Sequence, residues 1–148
     1  MNNQNSPDRE IIKFMQSNSQ FTIATCEDQQ PYCAICYYAY SENLNAIIFK
    51  SNSGSRHINE AQGNPRVAAA IASNKNKLTD SKGVQLEGDF VEPNAEQVLE
   101  AKRCYYSKFP FALAIPGNIW LIKLTKIKYT DNRLGSLNKI NWELKAIK

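Results

Sequence analysis

Lys50-Ser51-Asn52-Ser53-Gly54-Ser55-Arg56-His57, followed by Gly63-Asn64-Pro65-Arg66-Val67-Ala68, is the stretch on which the reading of this chain turns. The apolar run at 46–50 reads as a short strand, and the Ser/Gly segment after it as a turn. Ser55 is placed to cap a helix over 56–62, which Gly63-Asn64-Pro65 stops. A helix start offers backbone N–H groups without intrahelical partners and the positive end of the helix dipole, so it attracts anions. Ser51 and Ser55 add hydroxyls, and Arg56 adds a planar fork matched to phosphate. The stretch therefore reads either as a phosphate site or as a capped helix whose arginine is merely exposed.

Outward from this point the chain alternates strands and helices. Toward the N-terminus, residues 21–26 and 32–40 are β-branched and aromatic runs joined by Glu27-Asp28-Gln29-Gln30-Pro31, which predicts a hairpin whose second strand is buried. Before it, Ser6-Pro7-Asp8 opens a helix whose apolar face is Ile11, Ile12, Phe14 and Met15. Toward the C-terminus, 66–73 predicts a fourth strand and 74–82 a polar loop. Residues 84–91 predict a fifth strand with a bulge at Gly88. Asn94 with Gln97 forms a capping box for a helix to about residue 108, with Val98, Leu99, Ala101, Cys104 and Tyr105 facing the core. Residues 120–129 read as a long strand and 139–144 as another. Six or seven short, mostly antiparallel strands with short inserted helices predict an α+β protein built on a β-barrel, in which closure removes exposed sheet edges.

At 148 residues, 43% hydrophobic and 22% charged, the chain fits one domain spanning 1–148. Its core is large enough to need no disulfide or metal staple. Neither a membrane span nor a signal peptide is predicted, so the expected location is the cytoplasm. The net charge of +4 is concentrated late, at Lys123, Lys126, Lys128, Arg133, Lys139, Lys145 and Lys148. That bias attracts anions, but the basic residues are not interleaved with an aromatic platform, so no nucleic-acid partner is expected. Cys33-Ala34-Ile35-Cys36 is a CxxC. Residues three apart on a strand face opposite sides, and His57 is the only histidine, so neither a metal nor a redox dithiol is expected.

The order S-x-x-x-S-R-H, then A-x-x-N-P-x-V-A, then a glycine-containing strand at 83–88, resembles the pyridoxamine 5′-phosphate oxidase-like superfamily of FMN-binding split barrels. Ile119-Trp120, Tyr129-Thr130-Asp131-Asn132, Leu134-Gly135, Lys139 and Trp142 extend the likeness to the small bacterial YhbP-like family over nearly the full length. The resemblance implies a homodimer with two equivalent FMN sites at the subunit interface. By position, Ser51, Ser55, Arg56 and His57 would hold the phosphate, with Lys50 in the same cofactor-binding set. Ala34, Ile35 and Cys36 would line the flavin ring, and Gln85 would touch it. Lys139 and Trp142 would reach the cofactor from the C-terminal segment of the same or the partner subunit. Lys139 also suits a solvated charge, and Trp142 a core or interface aromatic. His57 reads as a phosphate contact, a structural residue, or a haem or proton-transfer group.

The departures shape the functional reading. Where true pyridoxamine phosphate oxidases have basic residues on the second strand, this chain has Cys33 and Tyr38. The C-terminal Arg-Leu-His motif is replaced by Arg133-Leu134-Gly135. Oxidation of vitamin B6 is therefore not expected. The reading is a flavin-dependent oxidoreductase of unknown substrate. Its rival is a non-enzymatic flavin- or haem-binding or sensing protein on the same barrel. FMN is the expected cofactor, with haem and deazaflavin as alternatives.

Overall fold

The computed structural model describes residues 5–133 and 136–146. Leu134, Gly135 and Lys148 of the sequence reading lie outside the described residues. The elements, in chain order, are α1 (Arg9–Ser17), β1 (Gln20–Glu27), β2 (Gln30–Ser41), β3 (Ala46–Ser51) and α2 (Arg56–Gly63). They continue with β4 (Arg66–Ala72), β5 (Asp80–Val91), α3 (Ala95–Lys108), β6 (Asn118–Arg133) and β7 (Ser136–Glu143). The seven strands form one antiparallel sheet in the order β3-β2-β1-β4-β5-β6-β7, and β3 also pairs with β6. That last pairing closes β1 to β6 into a ring, giving the α+β split barrel.

The length of β6 makes the closure work. Its residues 121–133 pair with β5 along one edge. The other edge carries β3 along 118–123 and β7 along 126–133. Mid-strand, the β5–β6 register slips between Glu87 and Gly88. A Cβ at Gly88 would collide with the Lys123 carbonyl and the Ile122 side chain, so the expected bulge requires glycine. The β1–β2 turn is tight, with Asp28 and Gln29 at φ 49° and 65°.

Two apolar layers hold the fold. The inner layer joins the inward side chains of the barrel with Ile11, Ile12 and Met15 of α1 and Ile58 and Ala61 of α2. The outer layer packs Ala101 and Tyr105 of α3 against Ala39, Ala46, Ile48 and Leu121. Several expectations shift. The α1 helix starts at Arg9, because Asp8 rather than Ser6 accepts the Glu10 N–H. The Asn94–Gln97 capping box forms as expected. Leu99 does not face the core, because α3 buries only a narrow stripe of small and aromatic residues. A 3₁₀ turn over Pro110–Ala114 follows α3, and β7 begins three residues earlier than expected.

Candidate functional site

The strand-to-helix turn forms a polar corner. β3 ends at Ser51, whose carbonyl accepts a 2.9 Å hydrogen bond from Trp120 Nε1. The chain reverses through a turn closed by the Ser55 N–H donating to the Asn52 carbonyl, at 3.0 Å, and α2 begins. Ser55 occupies the N-cap with extended dihedrals, but its hydroxyl makes no capping bond and sits 3.5 Å from Ser51 Oγ. The first intrahelical bond runs from the Asn59 N–H to the Ser55 carbonyl. The amides of Arg56 and His57 are therefore left for an external acceptor, whereas that of Ile58 is buried. The expected cap is thus an open one, because Ser55 leans toward Ser51.

His57 and Ser51 share a 2.8 Å hydrogen bond between Nε2 and Oγ, and Cys36 Sγ lies 3.8 Å from the same nitrogen. Burial pushes His57 below its usual range, opposed by the charge of Glu60, so the ring is neutral at pH 7. Desolvation is the larger of the two effects. Burial also raises the Cys36 thiol to about 11, which keeps it protonated and unreactive.

Arg56 projects from the first turn of α2. Its guanidinium lies over the Tyr32 ring, 4.1 Å from the centroid, and its Nε donates to Glu60 Oε1 at 3.3 Å. Glu60 Oε2 accepts from Thr25 Oγ1 at 2.9 Å. Sequence reading missed Thr25, Tyr32 and Glu60, although the i,i+4 spacing of Arg56 and Glu60 was a visible signal. Two hydroxyls, the open amides of Arg56 and His57 and a neutral imidazole meet at this corner, a donor set suited to a phosphate, and Arg56 leaves the same turn with its guanidinium held by Tyr32 and Glu60.

The other expected residues lie elsewhere. Lys50 precedes Ser51 on the strand and so faces the opposite side, where Nζ donates to the Ala112 carbonyl at 2.8 Å and sits over Tyr106. Ala34 and Cys36 point inward and pack on the core, whereas Ile35 points outward and is 70% exposed. Ile35 and Gln85 share one cross-strand row, Ile35–Thr22–Ala70–Gln85–Lys128–Asn141. Three strand steps separate them, roughly 14 Å. Gln85, Lys126, Lys128 and Trp142 border a cleft of about 600 Å³ on the β5–β6–β7 side, and Trp142 also packs on the inner core. Lys139 is exposed, opposite Thr130. Within one subunit, then, the structure gathers Ser51, Ser55, Arg56, His57 and Cys36, and separates them from Gln85, Lys139 and Trp142. Among the described residues no helix is long and apolar enough to cross a membrane.

A family profile described as pyridoxamine 5′-phosphate oxidase matches residues 7–118. A UPF0306 protein of Photorhabdus laumondii is 31% identical over 133 residues, covering 90% of this chain and 93% of that protein. Among solved structures, the chain is similar to a heme-binding protein from Mycobacterium smegmatis (TM-score 0.76, 17% identity, 88% of this chain and 56% of that longer one). It is also similar to an FAD-binding protein from the same organism (TM-score 0.71, 16% identity, 85% and 95% covered). A third likeness is to a pyridoxamine 5′-phosphate oxidase-related, FMN-binding protein from Nostoc punctiforme (TM-score 0.61, 14% identity, 84% and 80% covered).

Proposed function

The chain belongs to the pyridoxamine 5′-phosphate oxidase family, and from that premise we propose that it binds FMN through the corner at the start of α2 and serves as a flavin-dependent oxidoreductase in the cytoplasm. The carrying observation is the uncapped α2 terminus, with Ser51, Ser55 and His57 converging on it and Arg56 in its first turn. The donor set fits a phosphate without a resident metal: open amides and hydroxyls supply directional bonds, and Arg56 supplies charge. The flavin-binding structural neighbours support the flavin reading, and the one that binds FMN favours a single phosphate.

In this reading Ser51 and Ser55 donate to the phosphate oxygens, with the amides of Arg56 and His57 beside them. His57 is neutral in the free protein. An arriving dianion favours its protonation, so Nε2 exchanges its bond to Ser51 for one to phosphate. Bound flavin supplies the electron-transfer chemistry, for which no side-chain nucleophile is needed.

The proposed assembly is a homodimer. The outer face of the β1–β2–β4 region carries Ile35 and Tyr37, 70% and 55% exposed, beside the small side chains of Ala68 and Ala70. A second subunit laid on this face would bury that apolar surface and bring its own Gln85, Lys139 or Trp142 toward the α2 corner. This is how residues that one subunit keeps apart would meet at a single ring.

Replacing Arg56 with Ala should weaken FMN binding by roughly 1.5–3 kcal/mol, the range for a hydrogen bond to a charged group, with little loss of fold. Titration calorimetry checks it, and unchanged affinity would remove Arg56 from the site. A non-enzymatic haem-binding role is the second reading, favoured by the half-buried, neutral imidazole of His57 and by the heme-binding neighbour. A Soret band on adding hemin that disappears in His57→Ala would support it.

A further inference from the structure

We propose that Glu60 is a positioning residue for phosphate recognition, holding Arg56 in the orientation that presents its terminal amino groups to the ligand. The inference rests on the phosphate-binding reading of the α2 corner and deepens it.

Glu60 is 2% exposed and sits between Ile58 and Ala61 on the face of α2 that enters the core. Burying a carboxylate costs several kcal/mol unless it is paired, and an apolar side chain of similar volume serves stability as well or better. A role other than packing therefore accounts for its place. Both of its oxygens are used. Oε2 accepts from Thr25, itself 2% exposed, which fixes the carboxylate against β1. Oε1 accepts from Arg56 Nε, and among the described residues Arg56 is the only cation paired with it.

Arg56 is held a second way. Tyr32, directly opposite Thr25 in the β1–β2 ladder, lies under its guanidinium at 4.1 Å. Thr25, Glu60 and Tyr32 thus form one cradle across the hairpin and the helix. Of the five N–H donors of a guanidinium, the cradle occupies the one on Nε. The four on the terminal nitrogens have no acceptor among the described residues. A long arginine side chain ordinarily loses rotamer freedom when it binds, and one already ordered loses less. Glu60 also repels an anion through its charge. That cost is offset by the terminal nitrogens, whose donors no acceptor among the described residues takes up.

The test compares FMN with riboflavin, which lacks the phosphate. Glu60→Leu should lower FMN affinity about tenfold and leave riboflavin affinity unchanged, the loss expected from releasing one ordered side chain. In an Arg56→Ala background the same change should have no further effect on FMN. Tyr32→Leu lies outside the core and tests the cradle if Glu60→Leu fails to fold; it should show a smaller, FMN-only loss. Equal losses for FMN and riboflavin, tighter FMN binding, or a persistent effect without Arg56 would each overturn the proposal. If the wild type takes up neither flavin, the flavin reading fails separately. Inorganic phosphate then decides the positioning role: it should raise the Tm of the wild type more than that of Tyr32→Leu at the same concentration, and equal shifts would overturn the proposal. No phosphate-induced shift in the wild type would overturn it too.

Discussion

Strand β2 runs through two environments. From Tyr38 to Ser41 every residue is buried, because α1 and the barrel interior cover one face and α3 the other. From Gln30 to Tyr37 the strand alternates, with Cys33, Ile35 and Tyr37 exposed on the face that α3 does not reach. The composition hardly changes between the halves, yet one is core and the other is bare. The difference shows where the fold is finished by its own chain and where an apolar strand face is left over. The inward side chains of the bare half include Cys36, which touches His57 of the α2 corner. The unfinished face and the candidate site are thus two sides of one strand.

The strongest way to break this comparison is Tyr38→Ala. Tyr38 is fully buried, donates to the Met15 carbonyl at 2.5 Å and meets Phe21 edge-on. Its loss should cost about 3–5 kcal/mol, read from denaturant midpoints. A cost near 1 kcal/mol would mean that the doubly covered half is not the core it is drawn as. Ile35→Asp addresses the bare half. It should leave the monomer folded but weaken self-association by about 2 kcal/mol or more, since an unpaired charge would be buried in the interface. Light scattering reads the outcome, and an unchanged dimer would place the interface elsewhere. Tyr37→Ala sharpens the contrast with its neighbour, because Tyr37 keeps one edge contact with Phe109. It should cost about 1 kcal/mol.

A pH-dependent effect is expected where the halves meet. Lys108 lies over the Tyr38 ring and donates to the Asn18 carbonyl. Burial pushes it from 10.5 down to about 8. Between those values the unfolded chain holds a proton that the folded one has released. The penalty for burying the charge is therefore full below pH 8 and is relieved as pH rises to about 10.5. Relative to Lys108→Met, the wild type should gain stability between pH 7.5 and 9.5. A parallel pH dependence in both would show that Lys108 stays solvated.

The barrel was legible because its signals are local. Period-two alternation, the Asn94–Gln97 capping box and the bulge glycine at Gly88 each fix an element within a few residues. The corner at Ser51–His57 was legible for the same reason. What lay beyond reach depends on distant partners. Nothing near Ser55 in sequence says that its hydroxyl turns to Ser51 instead of capping α2. The Thr25–Glu60 bond joins residues 35 apart, so the buried carboxylate looked like an ordinary helical glutamate. Lys50 faces away from Ser51 by strand alternation, so the two side chains do not share one site. Ile35 and Gln85 lie three strands apart in one cross-strand row, a separation that depends on the whole sheet order and not on local sequence.

The central claim is that the α2 corner holds FMN, and an absorption spectrum of the purified protein after FMN addition and gel filtration tests it most directly. The account predicts retained paired flavin bands in the wild type and their loss in Arg56→Ala. A protein that emerges colourless, or one that takes up only hemin with a single Soret band, would contradict it.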